Sequence, residues 1–189
     1  MPTCWIIAGP NGAGKTTFAL DFLPLFNCQH FINTDSIAAG LNPINPEAET
    51  FNASRIFLSE IKSAILAKRN FGFETTLSGR SYLAMIQRLK ISGWRVELIY
   101  LALPGVEYSH ERVKERVLTG GHSIPETDIE RRFSRSLSNL LGDFSGLADQ
   151  TRCFMNDSES PTVIFTQTNE GRQIAHNDYY ELLVKNSEQ

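Results

Sequence analysis

Residues 9 to 16 read Gly-Pro-Asn-Gly-Ala-Gly-Lys-Thr, the complete pattern G-x-x-x-x-G-K-[ST]. The apolar run Cys4-Trp5-Ile6-Ile7-Ala8 precedes it and Thr17-Phe18-Ala19-Leu20 follows, so strand, glycine loop and helix stand in the order this motif requires. Gly9, Gly12 and Gly14 let the backbone curl so that several N–H groups point inward at phosphate oxygens. The start of the following helix adds unpaired N–H groups and a partial positive charge. Lys15 can reach the β- and γ-phosphates of a nucleotide, and the Thr16 hydroxyl can ligate Mg²⁺. Gly9, Pro10, Asn11, Gly12, Ala13, Gly14, Lys15, Thr16 and Thr17 are therefore the candidate ATP-binding segment, with Thr16 as the metal ligand.

A phosphate loop does not by itself separate a kinase from a mechanical ATPase or a GTPase. Groups at the carboxyl ends of other strands must decide. Asn33-Thr34-Asp35 follows His30-Phe31-Ile32, and Asp35 either accepts the proton of an attacking hydroxyl or caps the helix that begins there. Glu74-Thr75-Thr76 follows Phe71-Gly72-Phe73, and Glu74 and Thr76 either contact substrate or metal or form an exposed strand end. Arg112 and Arg116 share one helix face; Arg131, Arg132 and Arg135 lie on the next helix. Arginines on two helices joined by Gly120-Gly121-His122 describe a lid over about residues 106–141 that neutralises a transferring phosphoryl group, or else a solvated face paired with nearby glutamates. His122 contacts substrate or phosphate, or bonds locally. Asn156-Asp157-Ser158 lies beside a nucleotide base or forms an Asx turn.

The elements that must position these groups alternate between apolar strand runs and helical patterns, which predicts an α/β fold: a mostly parallel sheet of about five strands flanked by helices, in one domain over residues 1–189. Strands are expected at Thr3–Ala8, His30–Asn33, Asn70–Thr75, Arg95–Leu103, Arg152–Met155 and Thr162–Thr166. The first helix is expected to end before Pro24. A long helix spans Pro46 to Arg69, Ser78 caps the next one, and Ser123 with Glu126 forms a capping box. The polar tail after Asn169 carries little pattern. Net charge is −3 with no basic block, against a nucleic-acid surface. The three cysteines, Cys4, Cys28 and Cys153, have neither zinc nor disulfide spacing, and no stretch reaches membrane-spanning length. A reducing cytoplasm is the expected location, without nucleic-acid or membrane partners.

Taken together the motifs resemble those of the zeta toxin family of phosphate-loop kinases. The resemblance runs from Gly9 to Thr17, through Asn33-Thr-Asp35 and Phe73-Glu-Thr-Thr76, to Arg116-Val117, Gly120-Gly-His-Ser-Ile-Pro125 and Arg131-Arg-Phe-Ser-Arg-Ser136. It implies a nucleoside-kinase-like fold, ATP and Mg²⁺ as cofactors, and phosphorylation of a nucleotide sugar such as UDP-N-acetylglucosamine at a sugar hydroxyl. It also implies a small helical antitoxin as partner. By position it makes Asp35 the general base and Lys15 a catalytic phosphate ligand. Arg116 becomes the first lid arginine, with Arg131 or Arg132 the second, and Asn33, Glu74, Thr76 and His122 face the substrate. The reading is thus an ATP-dependent phosphotransferase acting on the hydroxyl of a small molecule; the alternative is a phosphate-loop ATPase or switch acting on a protein partner. No Asn-Lys-x-Asp segment supports guanine recognition.

Overall fold

The computed structural model describes residues 1–118, 120–121, 123–158 and 160–188. Its centre is a seven-stranded sheet. β1 (Thr3–Ala8), β2 (Phe31–Ile32), β3 (Phe71–Thr75), β4 (Arg95–Ala102), β5 (Gln150–Met155), β6 (Thr162–Thr168) and β7 (Gly171–Ile174) lie in the order β2-β3-β1-β4-β5-β6-β7. The first five run parallel; β6 and β7 are antiparallel additions at one edge. Parallel strands are covered on both faces, so they read as unbroken apolar runs: Cys4 to Ala8 and Val96 to Ala102 are buried throughout, with Glu97 the one charged member of those runs. Glu97 is held by Arg95, 2.5 Å from its Nε, and by Arg152 at 3.5 Å, which supplies the pairing a buried carboxylate needs.

Seven α-helices complete the chain among the described residues: α1 (Lys15–Leu25), α2 (Thr34–Leu41), α3 (Thr50–Leu66), α4 (Leu83–Ile91), α5 (Val106–Leu118), α6 (Glu126–Asn139) and α7 (Asn177–Ser187). None is long and apolar enough to cross a membrane. All three cysteines are buried and free, as small core residues.

The structure departs from the sequence expectations at identifiable places. The sheet has seven strands rather than about five: β6 forms over the expected Thr162–Thr166 strand, and the tail after Asn169 adds β7 and α7. α7 docks through Leu183 and through Asn186, whose amide donates to the Pro104 carbonyl at 2.9 Å. α1 continues through Pro24 to Leu25. The proline falls in the last turn, where only one intrahelical bond is lost, and the Phe22 and Phe26 rings pack 4.5 Å apart across it. Pro46–Glu49 forms a separate 3₁₀ turn before α3. The buried stripe of α3 is Ala53, Phe57, Ile61 and Ala64, leaving Phe51 and Leu66 exposed. Ser78 caps nothing: α4 starts at Leu83, and the Ser78 hydroxyl pairs with that of Thr76 at 2.9 Å. The Ser123 capping box does not form either, since Pro125 occupies the cap of α6 without a side-chain bond.

β1 lies between β3 and β4, reached by crossovers in opposite directions. The end of β1 is therefore the point where strand order reverses, which in open parallel sheets opens a crevice for ligands. The loop leaving β1 is tightly fitted. Gly9 has φ +147, and a Cβ there would sit 2.3 Å from the Leu101 carbonyl oxygen of β4. Gly9→Ala is expected to lower stability by at least about 2 kcal/mol, because neither that backbone conformation nor that neighbour can yield cheaply. Chemical denaturation of the two proteins checks this.

Candidate active site

Three strand ends meet at the crevice. Register pairs Ile7 with Glu74 and Ala8 with Thr75, so the end of β3 stands beside the start of the phosphate loop. The loop curls through Gly12 at φ +76 and Gly14 at φ +78 and delivers α1 with Lys15 as its first residue. No acidic residue occupies the first turn of α1, leaving its N–H groups and positive pole to the crevice. Asn11, Gly12 and Lys15 line a cleft of about 330 Å³.

Lys15 is buried at 7 % side-chain exposure. Burial holds its pKa below the usual lysine value, opposed by the nearby carboxylates of Glu74 and Asp35. Its ammonium donates to the Pro10 carbonyl at 2.9 Å and lies 3.6 Å from Glu74 Oε1. The other Glu74 oxygen accepts from the Thr16 hydroxyl and from the Asn33 amide, each at 2.7 Å. Glu74 thus gathers Lys15, Thr16 and Asn33 into one network. Because the Thr16 hydroxyl gives its proton to Glu74 and accepts from the Asn33 amide at 3.3 Å, one lone pair remains for a cation, which fits Mg²⁺. Among the described residues no group of three or more acidic, histidine or cysteine side chains could hold a metal.

Asn33, not Asp35, caps α2: its side-chain oxygen accepts from the Ser36 N–H at 2.9 Å. Asp35 is left in the first turn with a side chain 67 % exposed, lining the cleft. Arg116 of α5 reaches toward it, with Nη1 3.9 Å from Oδ2. Arg132 of α6 also lines the cleft, and its guanidinium bonds Asp128 at 3.0 Å. Arg131 does not line it; it bonds the same aspartate from the exposed side at 2.7 Å. These two arginines hold the Asp128 carboxyl below the usual range, through hydrogen bonding first. Thr17 is exposed on α1, and His122 lies outside the described residues.

Thr76 lines the cleft at a segment fixed from α6. Ser136 donates to the Thr76 carbonyl at 2.5 Å and Asn139 donates to the Leu77 carbonyl at 2.7 Å. Leu77 has φ +59, a costly conformation for leucine that these tethers stabilise. Since Ser136 spends its only proton on Thr76, the buried Tyr100 hydroxyl must be the donor in their 2.7 Å contact. Ser136→Ala leaves Thr76 and Tyr100 each short of a partner. The expected result is a loss of about 1–3 kcal/mol of stability with a higher acceptor KM and an unchanged ATP KM, read by denaturation and steady-state kinetics.

Asn156, at the end of β5, bonds the phosphate loop itself: its amide donates to the Ala13 carbonyl at 2.9 Å. Asp157 accepts from the Tyr179 hydroxyl of α7 at 3.0 Å, which raises the Tyr179 pKa. Tyr82, Thr34 and Thr50 are further lining residues not anticipated from sequence.

A model of the zeta toxin family matches residues 47–170. An uncharacterized protein of Haemophilus influenzae is 36% identical over 128 residues, covering 66% of this chain and 88% of that one. Among solved structures, the AvrRxo1-ORF1:-ORF2 complex with ATP is similar with a TM-score of 0.72 and 20% identity, over 97% of this chain; this chain spans 63% of its length. The PezAT chromosomal toxin–antitoxin system of Streptococcus pneumoniae is similar with a TM-score of 0.66 and 18% identity, over 96% of this chain and 77% of that one. At those identities the structures speak for the fold, while the family match spans most of the chain and takes in Glu74, Thr76 and the helices bearing Arg116 and Arg132. The chain belongs to the zeta toxin family of phosphate-loop kinases.

Proposed function

We propose that the chain transfers the γ-phosphoryl group of ATP, with Mg²⁺, to a hydroxyl of a nucleotide sugar or another polyol. The observation that carries this reading is the single cleft that unites the phosphate-loop Lys15 with Asp35, Arg116 and Arg132. ATP phosphates are received by the loop N–H groups and by Lys15, which exchanges its bond to Pro10 for the β- and γ-oxygens. Thr16, held by Glu74, is the metal ligand; Mg²⁺ when bound offsets negative charge on the phosphoryl oxygens. Asp35 takes the proton of the acceptor hydroxyl as its oxygen bonds the γ-phosphorus and the bond to ADP breaks. Residues 106–141 act as the lid, with Arg116 and Arg132 stabilising the phosphoryl group in transfer. Asn33 and Glu74 act one step back, through Thr16 and Lys15, and Thr76 meets the acceptor. Asn156 fixes the loop.

The association of the similar PezAT protein with an antitoxin supports a small helical antitoxin as partner here, and the cysteine usage supports a cytoplasmic location. A switch or simple ATPase would have no use for the acceptor-sized cavities that adjoin the phosphate cleft. Coupled measurement of ADP release separates the two. A kinase releases ADP in proportion to added polyol or nucleotide sugar; a rate that ignores every small molecule and rises only with a protein partner would support the switch.

A further inference from the structure

Helical spacing makes Phe51 and Leu66 candidates for the core, yet both stay outside it, 74% and 76% exposed, with Leu58 between them at 60%. The three lie on one line along α3, and Arg55 and Lys62, also exposed, fill the intervening turns. The series Phe51, Arg55, Leu58, Lys62, Leu66 advances by three or four residues at each step, the spacing of a seam between two packed helices. It runs opposite the buried stripe Ala53, Phe57, Ile61 and Ala64 and is about 22 Å long, or about four turns. Glu60, the one acid in α3, faces His30 at 3.4 Å rather than this line, so the line carries only positive charge.

A groove of about 450 Å³ flanks the line between α3 and the end of α2, bounded by Leu41, Glu49, Asn52, Arg55, Ile56 and Ser59. Leu41 and Ile56 give it apolar walls, and the Glu49 carboxylate is held by the Asn52 amide at 2.7 Å. It has room for a large apolar side chain from a neighbouring helix. Neither the five residues of the line nor those of the groove line the phosphate cleft.

The charge pattern selects the occupant. Antiparallel pairing of two copies would bring Phe51 of one onto Leu66 of the other, but also Arg55 onto Lys62; parallel pairing would set each cation against itself. Both arrangements repel. A membrane-surface helix has an unbroken apolar face with its cations on the polar side. In α3 the cations interrupt the apolar line itself. A helix with carboxylates facing Arg55 and Lys62 and apolar side chains between them meets both features.

We propose that α3 docks an acidic amphipathic helix of a second protein, with its apolar seam against Phe51, Leu58 and Leu66 and its carboxylates on Arg55 and Lys62. This surface goes beyond the kinase reading and does not depend on it.

The test uses two labelled helical peptides of about twenty residues. Both have leucine along one seam; glutamate flanks it in the first and lysine in the second. Fluorescence anisotropy with the full chain is expected to show the glutamate peptide bound at least about tenfold tighter, and more weakly as salt rises. Phe51→Asp is expected to weaken that binding at least about tenfold. Arg55→Glu together with Lys62→Glu is expected to exchange the preference, so that the lysine peptide binds the tighter. A general loss of fold would weaken both peptides and could not exchange them. The variants are expected to melt with the wild type by circular dichroism, because each altered side chain is exposed. Equal binding of the two peptides, or a glutamate preference that survives the charge exchange, would overturn the proposal. So would binding to phosphatidylserine–phosphatidylcholine vesicles that Phe51→Asp abolishes, which would assign the face to a membrane. Dimerisation in the ultracentrifuge lost in the same variant would assign it to a second copy and overturn the proposal too.

Discussion

Replacing Lys15 by alanine is expected to cut phosphoryl transfer by about 10²–10³-fold and to weaken ATP binding. Lys15 is the buried cation of the phosphate loop; its ammonium bonds the Pro10 carbonyl and pairs with the Glu74 carboxylate, with Asp35 further off. A nucleotide would add the anionic partners that this burial lacks. The substitution should leave the fold intact, because Glu74 keeps the Thr16 and Asn33 donors at 2.7 Å. A pH signature accompanies it. Burial lowers the Lys15 pKa in the folded protein below 10.5. Between the folded and unfolded values the unfolded chain binds the extra proton, so this group makes stability rise with pH. Its cost is fully present below the folded pKa and fades as pH climbs to the unfolded one. Lys15→Met should remove that alkaline rise, seen as the difference between wild-type and variant denaturation curves across pH. A variant with unchanged transfer and ATP affinity would show that the phosphates bind elsewhere.

Asp35→Asn is the second large effect: a loss of transfer by about 10²–10⁴-fold with ATP affinity nearly unchanged. The substitution keeps the shape and removes the proton acceptor. α2 should survive it, because Asn33 supplies the cap. Asp35 contributes to the helix mainly as a negative charge near its N-terminus, an effect of about 0.3–1 kcal/mol. Its pairing with Arg116 is partly exposed at 3.9 Å and adds little more. Loss of activity with near-native melting therefore separates the base role from the cap role, which sequence alone left balanced.

The phosphate loop was legible because its chemistry is local: consecutive N–H groups, one lysine and one hydroxyl must follow each other along the chain. The parallel strands were legible because two-sided burial leaves unbroken apolar runs such as Val96 to Ala102. The contact among Thr16, Asn33 and Glu74 was not legible, since it joins residues 17, 41 and 58 positions apart. Each read as polar at an element's end, and only strand order made them neighbours. The choice between Arg131 and Arg132 is a matter of helix phase, where one residue is about 100° of rotation. That rotation depends on how Ile129, Phe133 and Leu137 seat α6 in the core. The caps misread at Ser78 and Ser123 show local preference yielding to neighbours: Thr76 takes the first hydroxyl, and Pro125 fixes the start of α6. The tail escaped notice because β7 is an exposed edge strand with three of its four residues polar or glycine.

The most direct test of the central claim is transfer from γ-labelled ATP in the presence of Mg²⁺, with wild type beside Asp35→Asn and small molecules separated from free phosphate. The account predicts label in a phosphomonoester of a small hydroxylic molecule, formed by the wild type and nearly absent with the variant. Label only in free phosphate, released equally by both proteins, would contradict it.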